Sequence, residues 1–126
     1  MPNRAPIVLH VGHDIGERIL VVAILEARGF RVCTAYSAHH ARGLVSTEAF
    51  DVVIIEDNLP DMTGAQLARE IRSIRPSARI ILVSRRAYLP AEELAHADVL
   101  VAKGSAMKDL MDIISTLAPV HPSTST

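Results

Sequence analysis

Asp51–Gly64, DVVIIEDNLPDMTG, joins an uninterrupted apolar run to an acidic turn. Val52, Val53, Ile54 and Ile55 show no polar alternation, the pattern of a parallel strand covered on both faces. Glu56, Asp57, Asn58 and Asp61 follow at once, with Pro60 and Gly64 as turn markers. In an open α/β sheet, ligands and chemistry collect beyond the carboxyl ends of the strands. These carboxylates therefore stand where such a sheet places function.

Working outward, the same rhythm repeats. Ile7–Val11 predicts a first strand, ended by Gly12 and His13. Asp14 and Glu17 form a pair like a capping box, with Asp in place of Ser or Thr. They open a helix to about Arg28 whose inward face is expected at Leu20, Ile24 and Ala27, with Gly29 just past its end. Arg31–Ala35 predicts a second strand, and Ser37 caps a helix over about Ala38–Ser46, with Ala41, Leu44 and Val45 inward. After the opening stretch, Gly64–Ile74 predicts a third helix with Leu67, Ile71 and Ile74 inward, stopped by Pro76. Ile80–Ser84 reads as a fourth strand. Pro90, Glu92 and Glu93 suit the first turn of a short fourth helix, with Pro at its first helical position. Val99–Ala102 is a fifth strand. Ser105 caps a last helix with Leu110, Ile113, Ile114 and Leu117 at offsets 0, 3, 4 and 7.

Strands alternating with helices predict a doubly wound α/β sandwich. Right-handed crossovers make a parallel five-stranded sheet in the flavodoxin-like order 2-1-3-4-5 its simplest layout. Residues 1–118 are expected to form one domain, and 119–126 a small polar tail without fixed structure.

Composition excludes several classes. With 49% hydrophobic but only 3% aromatic residues, the core must be aliphatic. A formal net charge of −1, with few stacking rings, speaks against nucleic acid and acidic membranes as partners. No apolar run approaches the ~20 residues of a membrane-spanning helix, and no signal peptide is visible, so a soluble cytoplasmic protein is expected. The single Cys33 cannot form an internal disulfide and reads as a buried, inert thiol.

Ile7 to Leu117 resembles the response regulator receiver family. The resemblance rests on the apolar strand followed by Leu59, Pro60, Met62 and Gly64, on Gly29–Phe30 after the first helix, and on Ser84 and Lys103 ending the fourth and fifth strands. Members of that family accept a phosphoryl group on an Asp, with Mg²⁺ held by an acidic pair after the first strand. The resemblance places the acceptor at Glu56, the acidic pair at Gly12 and His13, the switch hydroxyl at Ser84, the switch aromatic at Leu100 and the conserved-type Lys at Lys103. The Pro that usually follows that Lys is Gly104. Ser84 to Ala97 spans about one helical turn fewer than is usual there, so the output face formed by the fourth helix, fifth strand and fifth helix is expected to be altered.

These departures decide the expected chemistry. Mg²⁺ prefers oxygen ligands in octahedral array, and two carboxylates are gone. Glu extends the acceptor by a methylene, and a misplacement near 1 Å can cost ~10²-fold in rate. Three functions stay open. The first is a stand-alone atypical receiver, not an enzyme, that signals by binding a histidine kinase, a downstream effector or a second copy through the output face. In it Glu56 lies near Lys103 and Ser84, imitates phosphorylation, and needs neither cofactor nor Mg²⁺. The second is a phosphorylation-competent receiver using Asp57 or Glu56 with Mg²⁺. The third is an unrelated flavodoxin-like enzyme or cofactor binder, although no Gly-x-Gly-x-x-Gly or Walker loop is present.

Each pocket residue also has a bland role. Glu56 can be a structural ion pair with Lys103, and Asp57, expected to face away from Glu56, a solvated turn carboxylate. Asp14 can be a helix cap or, with Glu56, a weak cation site. His13 lacks partners for a transition metal, and His39–His40 read as helix surface because adjacent helical residues do not share a face. Arg69, Arg72 and Arg75 read as a solvated face. Arg85–Arg86 either close the pocket or meet a partner's acid, and Tyr88, Leu89 or Met111 are expected to mark an exposed contact surface.

Overall fold

The apolar run after Asp51 becomes the middle strand of a five-stranded parallel sheet ordered β2-β1-β3-β4-β5. The structure, a computed structural model, describes residues 5–86, 88–104 and 107–119. Its elements are β1 (Ile7–Val11), α1 (Ile15–Ala27), β2 (Arg31–Ala35), α2 (Ala38–Thr47), β3 (Val52–Glu56), α3 (Gly64–Ile74), β4 (Arg79–Ser84), α4 (Ala91–Leu94), β5 (Val99–Ala102) and α5 (Met107–Leu117). This is the doubly wound architecture and the strand order the sequence predicts.

Strand side chains alternate between two faces, and each face has its own core. Leu9, Val11, Val53, Ile55, Ile80 and Leu82 pack with Ala41, Val45, Leu67 and Ile71 of α2 and α3. Val8, Val52, Ile54, Ile81, Val83 and Val101 pack with Val21 and Leu25 of α1 and with Leu110, Met111 and Ile114 of α5. All side chains of β1 are buried, as befits a strand covered on both sides.

Several expected faces shift. In α1 the buried residues are Val21 and Leu25, while Leu20 is 51% exposed and Ala27 is also exposed. The reason is the run Ile19–Leu25, which is apolar on every side and marks no unique stripe. Ile74, expected inward, is the last residue of α3 and is 38% exposed. In α5 Met111, and Ala118 just past its end, join Leu110 and Ile114 in the core, while Ile113 and Leu117 pack partly buried against it, so the expected stripe is widened by one position. Met111 and Leu89, expected to be exposed, are buried, while Tyr88 does stand 79% exposed. Leu89 fills the α2/α3 core beside α4, which is only four residues long and covers little itself. Pro90 sits one position earlier than expected, at the N-cap of α4. Cys33 is half-buried against the core rather than fully buried. Ser105, and the tail apart from Pro119, lie outside the described residues.

Among the described residues, no helix is long and apolar enough to cross a membrane.

Candidate functional site

The carboxyl ends of β1, β3, β4 and β5 open on one cleft lined by His13, Asp14, Glu17, Glu56, Asp57 and Lys103, with Arg85, Arg86 and Glu93 on the α4 side. Its floor is set by strand parity. Val8 pairs with Val52 and His10 with Ile54, so Gly12 and Glu56 come next along the same face. Asp57, one residue on, turns to the opposite face of the sheet. Two adjacent carboxylates therefore face different partners inside one cleft.

Glu56 points to the α1/α5 face. Its Oε1 accepts a hydrogen bond from Lys103 Nζ at 2.6 Å, and its Oε2 lies 3.4 Å from Nε2 of the buried His10. Lys103 also pairs with Glu17 at the start of α1. Burial alone would push the Glu56 carboxyl up, but His10 and Lys103 outweigh it and hold the group below the usual glutamate value. Burial likewise opposes the Lys103 ammonium, yet its bonds to Glu17 and Glu56 leave it above the usual lysine value.

Gly12 makes this arrangement possible. A Cβ on residue 12 would stand 2.7 Å from Glu56 Cγ and 3.2 Å from His10 Cε1. The extra methylene of Glu56 thus occupies the space that any side chain at position 12 would need. Gly64 plays a similar part below, where a Cβ would meet Glu56 O at 2.5 Å and Asp57 Cα at 2.8 Å.

Asp57 points to the α3/α4 face, away from Glu56 as strand alternation requires. It is not a solvated turn carboxylate. Its side chain is only 13% exposed and accepts from Ser84 Oγ at 2.8 Å. Arg86 grips it with Nε at 2.9 Å and Nη2 at 3.0 Å, and the same Nη2 donates to Glu93 of α4 at 2.6 Å. Arg86 N donates to Ser84 Oγ at 3.0 Å. Ser84, expected near Glu56, is thus engaged by Asp57. The two carboxylates hold the Arg86 guanidinium firmly charged.

The remaining candidates separate. Asp14 caps α1, its Oδ1 accepting from Glu17 N at 2.9 Å. His13 and Asn58 line the open cleft. Leu100 is 38% exposed on β5; it pairs with Leu82, two residues before Ser84, and so lies on the face of the sheet that carries Ser84 and Asp57, away from Glu56. Arg72 and Arg75 are not a solvated face. Arg72 donates to the carbonyls of Pro76, Ala78 and His96 and to Asp98, while Arg75 Nε donates to Val45 O. Arg75 thus satisfies a carbonyl in the last turn of α2, of the kind helices leave without partners, while the carbonyls Arg72 binds lie in the loops after α3 and α4. Arg69 stays at the cleft rim. His39 is exposed and His40 leans on Tyr36, with ring centroids 4.9 Å apart. Asp61 caps α2 from the loop after β3, receiving Ala38 N and His39 N at 2.9 Å each, and these bonds hold its carboxyl below the usual aspartate pKa.

The donor set does not fit Mg²⁺. Gly12 brings no ligand, His13 brings nitrogen, and Asp14 is spent on the cap. Glu56 faces Lys103 and His10 with both oxygens. Among the described residues no group of three or more His, Cys, Asp or Glu is arranged to hold a metal.

Sequence reasoning missed His10, Glu17 as a partner of Lys103, and the Arg86–Glu93 bridge. His10 was findable, because positions 8, 10 and 12 share one face and 52, 54 and 56 share it on the neighbouring strand. The other two join elements whose spacing no local pattern reports.

Comparison with known proteins supplies a frame for this geometry. Residues 8–115 match the profile described as response regulator receiver domain. The chain is 30% identical over 96 residues to the sensor histidine kinase GacS of Pseudomonas protegens, covering 74% of this chain and 10% of that one. It is 29% identical over 77 residues to the transcriptional regulatory protein ZraR of Salmonella typhimurium, covering 61% of this chain and 18% of that one. It therefore spans less than a fifth of the length of these curated relatives. The response regulator protein TrrA of Thermotoga maritima, solved in complex with Mg(2+)-BeF, superposes with a TM-score of 0.82 at 25% identity, over 89% of this chain and 98% of that one. TrrA has also been solved in complex with the histidine kinase ThkA.

Proposed function

This chain belongs to the response regulator receiver family, and on that premise we propose that it is an atypical member that signals by protein contact without being phosphorylated. The observation that carries this is the 2.6 Å bond between Glu56 and Lys103, made in space vacated by Gly12. In the family the resemblance assigns that Lys to the oxygens of a transferred phosphoryl group. Here a permanent carboxylate meets it. The lysine is engaged, the acidic pair is absent and the nucleophile is displaced by a methylene, so the module works by binding and not by turnover.

Its partner, on this proposal, is a signalling protein of the cytoplasm, a histidine kinase or a downstream effector. The complex of TrrA with a kinase supports that class. So does an apolar strip on α1, where Ile15 and Ile19 are 65% and 64% exposed beside the cleft. A homodimer through α4, β5 and α5 would use Tyr88 and Leu100, both exposed.

The test is intact mass after incubation of the wild-type chain, Glu56→Ala and Asp57→Ala with a small-molecule phosphodonor and Mg²⁺. The expected result is no added phosphoryl group on any of the three. A stable adduct on wild type, lost in one variant, would name an acceptor and overturn the proposal. Asp57 would then be the acceptor to examine first, since it already bonds Ser84.

A further inference from the structure

In Asp57, Ser84, Arg86 and Glu93 one guanidinium joins two carboxylates, and the Ser84 hydroxyl joins Asp57 to the Arg86 backbone. The cluster starts at the residue after β3, passes through the end of β4, and ends on α4. None of its side-chain bonds involves Glu56 or Lys103; Lys103 meets Ser84 only through the backbone, N to O. We propose that these four residues form a constitutive latch that fixes α4 and presents Tyr88, whatever the state of Glu56. This goes beyond the absence of phosphorylation, because it assigns control of the α4 surface to Asp57 and not to the acceptor position.

Three observations carry it. First, Arg86 makes a two-pronged contact with Asp57, a geometry that fixes orientation as well as charge. Second, Ser84 donates to Asp57 while accepting from Arg86 N, so the hydroxyl has both a fixed acceptor and a fixed donor. Third, Tyr88 stands 79% exposed between two anchored residues, Arg86 on the latch and Leu89 in the core at 2% exposure. α4 is otherwise held by Leu94, partly buried against the α2/α3 core, and by Arg72, which donates to His96 O just past it. It is four residues long, has no buried side chain, and its N-cap Pro90 makes no side-chain cap bond. Among the described residues, the Arg86–Glu93 bridge is the ion pair that ties α4 to the end of β4.

Amide hydrogen exchange on the full chain tests the latch, comparing wild type with Asp57→Asn, Arg86→Gln and Glu56→Gln. Asp57→Asn and Arg86→Gln are each expected to speed exchange at the Glu93 and Leu94 amides, which bond Pro90 O, by about tenfold or more. Glu56→Gln should leave those amides at the wild-type rate. Buried β4 amides such as Leu82 report that each variant remains folded. A second readout uses Tyr36→Phe, which leaves Tyr88 the sole fluorescent tyrosine in a chain with two tyrosines and no tryptophan. Its anisotropy should fall when Arg86→Gln is added. The latch is overturned if α4 exchange is unchanged in both Asp57→Asn and Arg86→Gln, or if Glu56→Gln loosens α4 as much as they do. Neither result depends on whether phosphoryl transfer occurs, which intact mass reports separately.

Discussion

Glu56 and Asp57 are neighbours in the chain and carry the same charge, yet they build two different kinds of cluster. Glu56 lies over the α1/α5 core, with buried His10 below it and Lys103, 18% exposed, across from it. Asp57 lies on the α4 side, where its main partner Arg86 is 43% exposed. Partners that water reaches are screened and contribute little to stability, whereas partly buried charges that lose a partner are left unsolvated. The Glu56 cluster is therefore a stability element at the floor of the cleft. The Asp57 cluster orders one surface segment and, because its main partner is water-exposed, adds less to global stability.

The largest expected effect strikes both clusters together. Gly64 supports the peptide between Glu56 and Asp57, and the atoms a new Cβ would meet are backbone, which cannot swing aside. Gly64→Ala should cost ~3 kcal/mol, the upper end for overpacking, read as a lower denaturant midpoint.

Gly12→Ala should affect the Glu56 cluster alone, at ~1–3 kcal/mol. The neighbour it meets is Glu56 Cγ, so in a Glu56→Ala background more than half of that cost should vanish. Additive costs in this cycle would break the claim that Gly12 exists to house Glu56.

Glu56→Gln removes the charge while keeping the shape, and should cost ~1–2 kcal/mol near neutral pH. Its pH dependence sharpens the contrast. The folded Glu56 carboxyl lies below its unfolded value, so its stabilisation is present above the unfolded value and fades as pH falls through the folded one. Lys103 lies above its unfolded value, so its share is complete below that value and is lost as pH rises through the folded one. Stability should stay level from about pH 5 to about pH 10 on account of this pair. The acid limb should be shallower in Glu56→Gln, as thermal melts across pH would show.

The smallest effect is expected on the other side. Arg86→Gln should lower the melting transition by less than Glu56→Gln does while changing exchange in α4. If it unfolded the protein as readily as Glu56→Gln, the distinction between a floor cluster and a surface latch would fail.

Much of this molecule was legible in one dimension. The apolar runs at Val52–Ile55 and Ile80–Val83 are buried because they cannot be otherwise in water, and alternation with helices leaves the parallel order 2-1-3-4-5 as the simplest winding. Opposite orientation of Glu56 and Asp57 follows from the two-residue repeat of a strand alone. The inward face of α1 was not legible, because its run from Ile19 to Leu25 is apolar all round and only the sheet chooses the side.

Lys103 as a partner of Glu56 is legible through the family resemblance, whereas His10 beside Glu56 and Arg86 on Asp57 were decided only by the tertiary structure. Glu56 meets Lys103 across 47 positions, and Asp57 meets Arg86 across 29. No local pattern sets such pairings. They arise because parallel strands bring their carboxyl ends to one edge, where burial then makes each charge find the nearest opposite one.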